Sequence, residues 1–412
     1  MKLNTPVSQL PAEIRLLLNA CRVLCNKEAL ESFEKILQEK LSWDEVLQKA
    51  NYHGLAPILY HALSKFSHNG KIPEKVLNSL QLAHKQTTYF NINLLKVLDL
   101  ILKVFNENGL SVIVLKGAIL ADQVYNNIAL RPMSDIDLLV RREEMDRIDK
   151  LLNNMGYRPQ PLHKWCLKEE NYVTYYHLEE ISLDIHCELF HSRSFLQSFL
   201  PLTSAVLWKD AKPITVNNHH ALILSNETNL LYLCLHMARH FREQIRLIWA
   251  CDISLFLQKK EGLIDWPYFW HLTKISGQEN LIREVLLFVR EYIGEKGLFL
   301  QDIKAENKFI RLGAKNHQSS TELKTRKMLQ KIFNTPTIWG KIHALFNYFF
   351  PYREYLRNKY GIENKKMLLL WRVKHPILII RSVIKEILQK NLLKRHAGDL
   401  TINLTIKNDD TR

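Results

Sequence analysis

The sequence predicts an α+β or α/β protein in which a small sheet-bearing core carries extensive helical segments before and after it. Three patterns say so. Apolar residues recur at three-to-four spacing over long stretches at both ends, short β-branched runs alternate with helical ones between residues 96 and 190, and two of those runs flank a charged turn.

Taken in order, "IRLLLNACRVLCNKEALESFEKILQEKL" and "NINLLKVLDLILKVFNENG" carry helical periodicity, and Asn108-Gly109 stops the second just past its last apolar turn. "LSVIVLKG" is then long enough for a strand and too short for a helix. "AILADQVY" reads as a helix, "SDIDLLV" as a second strand, and "REEMDRIDKLLNNMGY" as a helix closed by Gly156. "NYVTYYHL" and "SLDIHCELF" flank Glu179-Glu180 and read as an antiparallel hairpin. From about residue 200 the pattern returns to helices, including "ETNLLYLCLHMARHF", "IRLIWACDISLFLQ" and the basic "PILIIRSVIKEILQKNLLKR". The chain divides on this reading into an N-terminal helical region (1–95), the core (96–200), a helical domain (201–340) and a basic C-terminal helical region (341–412). Residues 313–326 are the best candidate for a mobile loop.

The 412 residues, 47% of them hydrophobic, supply ample material for packed cores. The N-terminus lacks the basic start, apolar stretch and small-residue site of a signal peptide, and no run reaches the roughly 18 apolar residues of a membrane span. A cytoplasmic location is expected. The six cysteines form no CxxC pair, and all but Cys166 lie in apolar patterns, so neither disulfides nor a structural zinc are expected. A net charge of +15 favours a polyanionic partner: a nucleotide, a nucleic acid or an anionic membrane surface. Twelve Lys/Arg against four Asp/Glu fall in residues 351–400. The amphipathic helix there presents a cationic face to RNA or membrane, or packs its apolar side on the protein; the packing reading is preferred, and membrane contact is not expected.

Asp135 and Asp137 open the apolar run "SDIDLLV". With a side-chain period of two they point to one side, where two like charges raise each other's protonation cost unless a cation lies between them. Hard carboxylate oxygens in that arrangement suit Mg²⁺. Taken alone, such a pair more often reads as one Asp that caps a turn beside another that faces solvent, because so short a motif matches by accident. Its surroundings point to a site. "VIVLKGAIL" passes from strand through Lys116-Gly117 into a helix, where backbone N–H groups, a glycine and a lysine could meet a triphosphate. "SLDIHCELF" places Asp184, His186 and Glu188 on one strand face, so Asp184 can supply the third carboxylate that two-metal phosphoryl or nucleotidyl transfer needs.

The stretch "VLKGAILADQVYNNIALRPMSDIDLLV" resembles the core of the nucleotidyltransferase superfamily, the DNA polymerase β-like fold. In particular it resembles the branch described as uncharacterised nucleotidyltransferases, through Lys116-Gly117, Tyr125, Arg131, Asp135 to Val140, and Asp184 with His186. The resemblance covers most of residues 40–361. It implies a mixed-sheet nucleotidyltransferase-like core and transfer of a nucleoside monophosphate from an NTP, ATP included, to an acceptor hydroxyl or phosphate. Asp135, Asp137 and Asp184 would hold two Mg²⁺ ions, with Mn²⁺ as the alternative, and Lys116, Gly117, Arg131 and Ser134 would bind the nucleotide. Lys116 stands where the wider superfamily has a Gly, and Ala118 where it has a Ser, so the triphosphate contacts differ from the general pattern. The acceptor stays open among a small molecule, a sugar, a peptide, a protein and RNA. The alternatives are a toxin-antitoxin-type enzyme that modifies tRNA or protein, and a non-catalytic nucleotide-binding module.

A second group comprises His236 and His240, four apart and on one helix face, followed by Arg246 and Asp252. With His186 they could line the acceptor side, Arg246 meeting phosphate and Asp252 orienting a histidine. Hydrogen bonding between buried helices explains them equally well. As a zinc site, HxxxH without a metalloprotease glutamate is a weak signal.

Overall fold

A computed structural model describes residues 6–25, 29–65, 72–160, 171–177, 181–189, 204–239 and 245–294. The predicted loop at 313–326 and the basic C-terminal region lie outside them.

Four helices open the chain: α1 (Ala12–Cys25), α2 (Ala29–Leu37), α3 (Trp43–His53) and α4 (Ala56–Leu63). They lead into α5 (Glu74–Glu107), whose 34 residues span about 51 Å at 1.5 Å per residue. This helix joins two apolar cores. Val76 and Leu80 pack with the N-terminal helices, whereas Leu94, Leu98, Ile101 and Phe105 pack beneath the sheet. Between those halves the buried Asn91 donates to the carbonyls of Ile128 (2.5 Å) and Arg131 (2.8 Å), which ties the loop before the acidic strand to the middle of the helix. Gly109, at φ 65°, ends α5 as the sequence predicts, because that left-handed turn strains any residue with a β-carbon.

The core elements β1 (Ile113–Val114), α6 (Gly117–Gln123), β2 (Ile136–Leu139) and α7 (Met145–Asn154) then follow in the expected order, and a short strand absent from the sequence reading, β3 (Arg158–Pro159), precedes the expected β4 (Tyr172–Tyr176) and β5 (Leu183–His186). The predicted hairpin is present as the antiparallel pair β4/β5. One expectation is corrected: the chain does not go straight to helices after residue 200. Following α8 (Ser204–Asp210), "KPITVNNHHALI" forms a second hairpin, β6 (Lys212–Val216) and β7 (His219–Ile223). Asn217 and Asn218, both at positive φ, make its two-residue turn, a conformation that Asn tolerates. Strand β7 lies parallel to β1 and so extends the sheet.

The result is a mixed seven-stranded sheet in the order β3-β4-β5-β2-β1-β7-β6, with β2 parallel to β5 and antiparallel to β1. Alternation sorts its two faces. Ile136, Leu138, Leu183 and Ile185 enter the core with α5 and with Ile148 and Leu152 of α7. On the opposite face stand Asp137, Asp184 and His186, and toward that face lie α9 (Asn226–Arg239) and α10 (Leu247–Lys260), followed by α11 (Trp266–Ile275) and α12 (Glu279–Ile293). These four helices share one apolar core with α1 to α4, and α1 packs directly on α10 and α12. Among the described residues no helix is long and apolar enough to cross a membrane.

Candidate active site

Parallel pairing of β2 and β5 sets Asp137 beside Asp184 and Leu139 beside His186, so the two aspartates share one sheet face. One ligand atom each from Asp137, Asp184 and His186 lie within 4.8 Å of one another. His186 Nε2 is 3.0 Å from Asp137 Oδ1, and its ring stacks on Tyr172 at 5.6 Å. The Lys116 ammonium lies 3.7 Å from the same Asp137 oxygen and 5.0 Å from the centre of the Tyr232 ring on α9. Among the described residues this is the one group of three His, Cys, Asp or Glu side chains able to hold a metal ion.

The acids of this face divide by electrostatics. Burial would raise Asp137, but Lys116, His186 and His236 outweigh it and hold the carboxyl well below its ordinary value. Asp184 is raised, by burial and by Asp137, although a hydrogen bond with Thr174 of β4 and the neighbouring His186 work against the rise. Asp135 is raised too, by burial and then by Asp137 and Asp184, with Ser134 opposing; the Ser134 hydroxyl donates to Asp135 Oδ1 at 3.0 Å. One lysine therefore compensates three carboxylates incompletely, and the surplus falls on Asp135 and Asp184. Two carboxylates and an imidazole, partly buried and short of positive charge, are a donor set that fits a divalent cation.

Asp135 precedes β2 rather than lying in it, and it stands outside the 4.8 Å group, where His186 takes the third place. His186, read from the sequence as an acceptor-side residue, is thus part of the acidic group.

Other expected site residues serve different contacts. Arg131 gives its fork to Asp252 of α10, Nε to Oδ1 and Nη2 to Oδ2, both at 2.9 Å, and Tyr125 donates to the same Oδ1 at 2.8 Å. Burial lowers the Arg131 pKa, but Asp252 more than reverses it, so the guanidinium stays charged in a buried setting. Asp252 accordingly orients an arginine and a tyrosine rather than a histidine. Gly117 opens α6 against this pair: a β-carbon there would lie 3.1 Å from Arg131 Nη1 and 3.1 Å from Met133 Sδ. Lys116, the residue before it, adopts φ 38° and ψ −112°, a strained backbone for any residue but glycine.

His236 reaches the acidic face closely enough to depress Asp137, and its ring meets Trp249 edge-on at 5.0 Å. Arg246 caps α10 beside Tyr52 and His53 of α3, and its charge disfavours the protonated form of both. His240 lies outside the described residues. Tyr232 and Thr174 are the site residues that sequence reasoning missed. Tyr232 had a usable signal, since it sits four before His236 on the same helix face. Thr174 had none, because only strand register puts it opposite Asp184.

A mixed sheet with paired acids on its face, next to a strand-to-helix turn bearing a lysine, is the arrangement that the resemblance to the nucleotidyltransferase superfamily leads one to expect. A family model described as "Uncharacterised nucleotidyltransferase" matches residues 39–294, more than half of the chain, and the chain belongs to that family. No curated protein matches it. No solved structure does either.

Proposed function

We propose that this protein transfers a nucleoside monophosphate from an NTP to an acceptor hydroxyl or phosphate, breaking the α–β phosphoanhydride bond and releasing pyrophosphate, with a divalent cation held by Asp137 and Asp184. The observation that carries the reading is the lateral pairing of those two residues on one sheet face, with His186 and Asp135 beside them. When bound, Mg²⁺ or Mn²⁺ supplies Lewis-acid stabilisation of the charge on the phosphoryl oxygens. The residues of the chain divide the remaining work. Asp137, kept ionised by its cationic neighbours, is the permanent anionic ligand. Asp184, held closer to neutrality, is suited to receive the proton of an attacking hydroxyl. Lys116 meets phosphate as a point charge, with Ser134 beside Asp135 as a supporting hydroxyl. Gly117 lets the turn pack tightly against Arg131, which supports the pocket from behind through Asp252. His236 and Tyr232 border the acceptor side on α9.

The test is transfer of label from α-labelled NTPs into cell extract, comparing the protein with Asp137→Asn. Labelled product that depends on Asp137 supports the reading. Equal labelling by both proteins, or none with any NTP and either Mg²⁺ or Mn²⁺, overturns it. The charge of +15 favours a polyanionic acceptor such as tRNA. A gel shift that shows no tRNA binding at low salt removes that acceptor while leaving the transfer reading intact.

A further inference from the structure

The geometry points to a second task for Lys116: it is the resident counter-ion of Asp137 in the metal-free site, and its release to a nucleotide phosphate makes cation and nucleotide bind as a pair. This rests on the metal-dependent reading above.

Backbone contacts aim the side chain. The Leu115 N–H bonds to the Asp137 carbonyl at 3.0 Å, and the Lys116 carbonyl accepts the Leu120 N–H at 2.9 Å, so Lys116 is pinned on both sides directly over Asp137. Its φ of 38° is a conformation that strains a non-glycine residue. Glycine would relieve that strain. The lysine present there instead places an ammonium 3.7 Å from Asp137 Oδ1 and over the Tyr232 ring, where the aromatic face also favours a cation.

A dication on Asp137 and Asp184 would face that ammonium at a few ångströms, and like charges so close in a partly buried site repel. Lys116 cannot simply withdraw. Its side chain is only 17% exposed, and leaving Asp137 without a new anion would strand the ammonium's charge in a largely buried setting. The phosphates of an NTP supply that anion. Metal alone therefore displaces Lys116 at a cost, nucleotide alone meets a cluster of carboxylates, and each removes the penalty on the other. Such coupling is reciprocal, so it can be read from the metal side.

The measurement is Mn²⁺ affinity by isothermal titration at fixed ionic strength, with and without a non-hydrolysable NTP analogue. Wild type, Lys116→Met, Lys116→Gln, Lys116→Arg and Asp137→Asn are compared, each first checked for folding by circular dichroism. Removing the competing ammonium should tighten binding of Mn²⁺ alone by on the order of tenfold in whichever neutral variant folds. The same variant should lose much of the gain that the analogue confers on wild type, and Lys116→Arg should restore the wild-type pattern. If Mn²⁺ binds wild type but not Asp137→Asn, while the neutral variants bind Mn²⁺ alone no more tightly than wild type, the counter-ion role is overturned and the transfer reading stands. If wild type takes up no Mn²⁺ with or without the analogue, both fall.

Discussion

Asp137 and Asp184 are direct neighbours across the parallel strands β2 and β5, yet the fold treats their charges in opposite ways. Lys116, His186 and His236 stabilise the Asp137 carboxylate, whereas burial and Asp137 itself penalise the charge on Asp184. Like-charge strain in this site thus resides on Asp184 and Asp135. This asymmetry sets the sign of what substitution and pH should do.

Neutralising either strained acid should stabilise the metal-free protein. Asp184→Asn is expected to raise the stability by about 0.5–1 kcal/mol while abolishing transfer. Asp137→Asn should do the reverse to stability, lowering it by about 1–3 kcal/mol, because Lys116 and His186 lose a charged partner in a buried setting. Thermal melts in EDTA read both. A gain in Asp137→Asn, or a large loss in Asp184→Asn, would contradict the charge assignment.

The pH dependence of metal stabilisation follows from the same acids. A carboxyl with a raised folded-state pKa binds its proton more tightly in the folded than in the unfolded chain. Its favourable contribution is complete below the ordinary value of about 4 and is lost as pH rises through the raised value. For Asp135 and Asp184 that window opens upward from about pH 4. A bound cation reverses the loss, so the gain in melting temperature from Mn²⁺ should grow from pH 4 to pH 7. At 100 times Kd the stabilisation is about 2.7 kcal/mol. A gain that is flat across this range would remove Asp184 from the cation site and Asp135 from its charged surroundings.

Gly117 and Asp252 should be coupled although neither touches the other. A β-carbon at Gly117 presses on Arg131 Nη1, and Arg131 cannot give way because Asp252 grips its fork. Gly117→Ala is therefore expected to destabilise by about 1–2 kcal/mol in the wild-type background. Asp252→Asn alone breaks a buried pair and should cost about 3–5 kcal/mol. In the double variant the freed arginine can move aside, and the two losses should sum to at least about 0.5 kcal/mol less than additivity. Urea titration of the four proteins completes the cycle, and strict additivity would mean that the glycine serves only the local turn.

His53 is a pH-sensitive joint between α3 and α10. Its Nδ1 accepts the Leu247 N–H at 3.4 Å, and burial lowers its pKa to about 4, with Arg246 and Lys49 adding to the fall against a backbone hydrogen bond to Ile245. A histidine depressed on folding contributes stability that is present above its unfolded value of about 6.5. That contribution is lost as pH falls through the folded value, and the difference amounts to about 3 kcal/mol. His53→Gln should flatten the stability profile between pH 6.5 and pH 4. An unchanged slope would show that another group carries the acid sensitivity.

Much of this architecture follows from local sequence. The period-two spacing in "SDIDLLV" and "SLDIHCELF" identifies strands with acids on one face, and Gly109 and Gly156 mark helix ends where a left-handed residue is needed. The turn Asn217-Asn218 between alternating residues was just as local a signal for the hairpin β6/β7, but the helical patterns around it dominate the reading. Such features are legible because a few consecutive dihedral preferences and a short apolar period decide them.

Tertiary structure alone decided which groups meet. The third place beside Asp137 and Asp184 belongs to His186 instead of Asp135, because the parallel register of β2 and β5 brings His186 Nε2 to Asp137 while β2 begins only after Asp135. Arg131 pairs with Asp252, 121 residues away, so the arginine that looked ready for phosphate is committed to a helix contact. Lys116 faces Asp137 through the twist of a single strained residue. Side-chain type and spacing state what chemistry a residue can offer. Partners separated by a hundred residues are chosen by strand register and helix packing, whose energies are summed over the whole core and leave no local pattern to read.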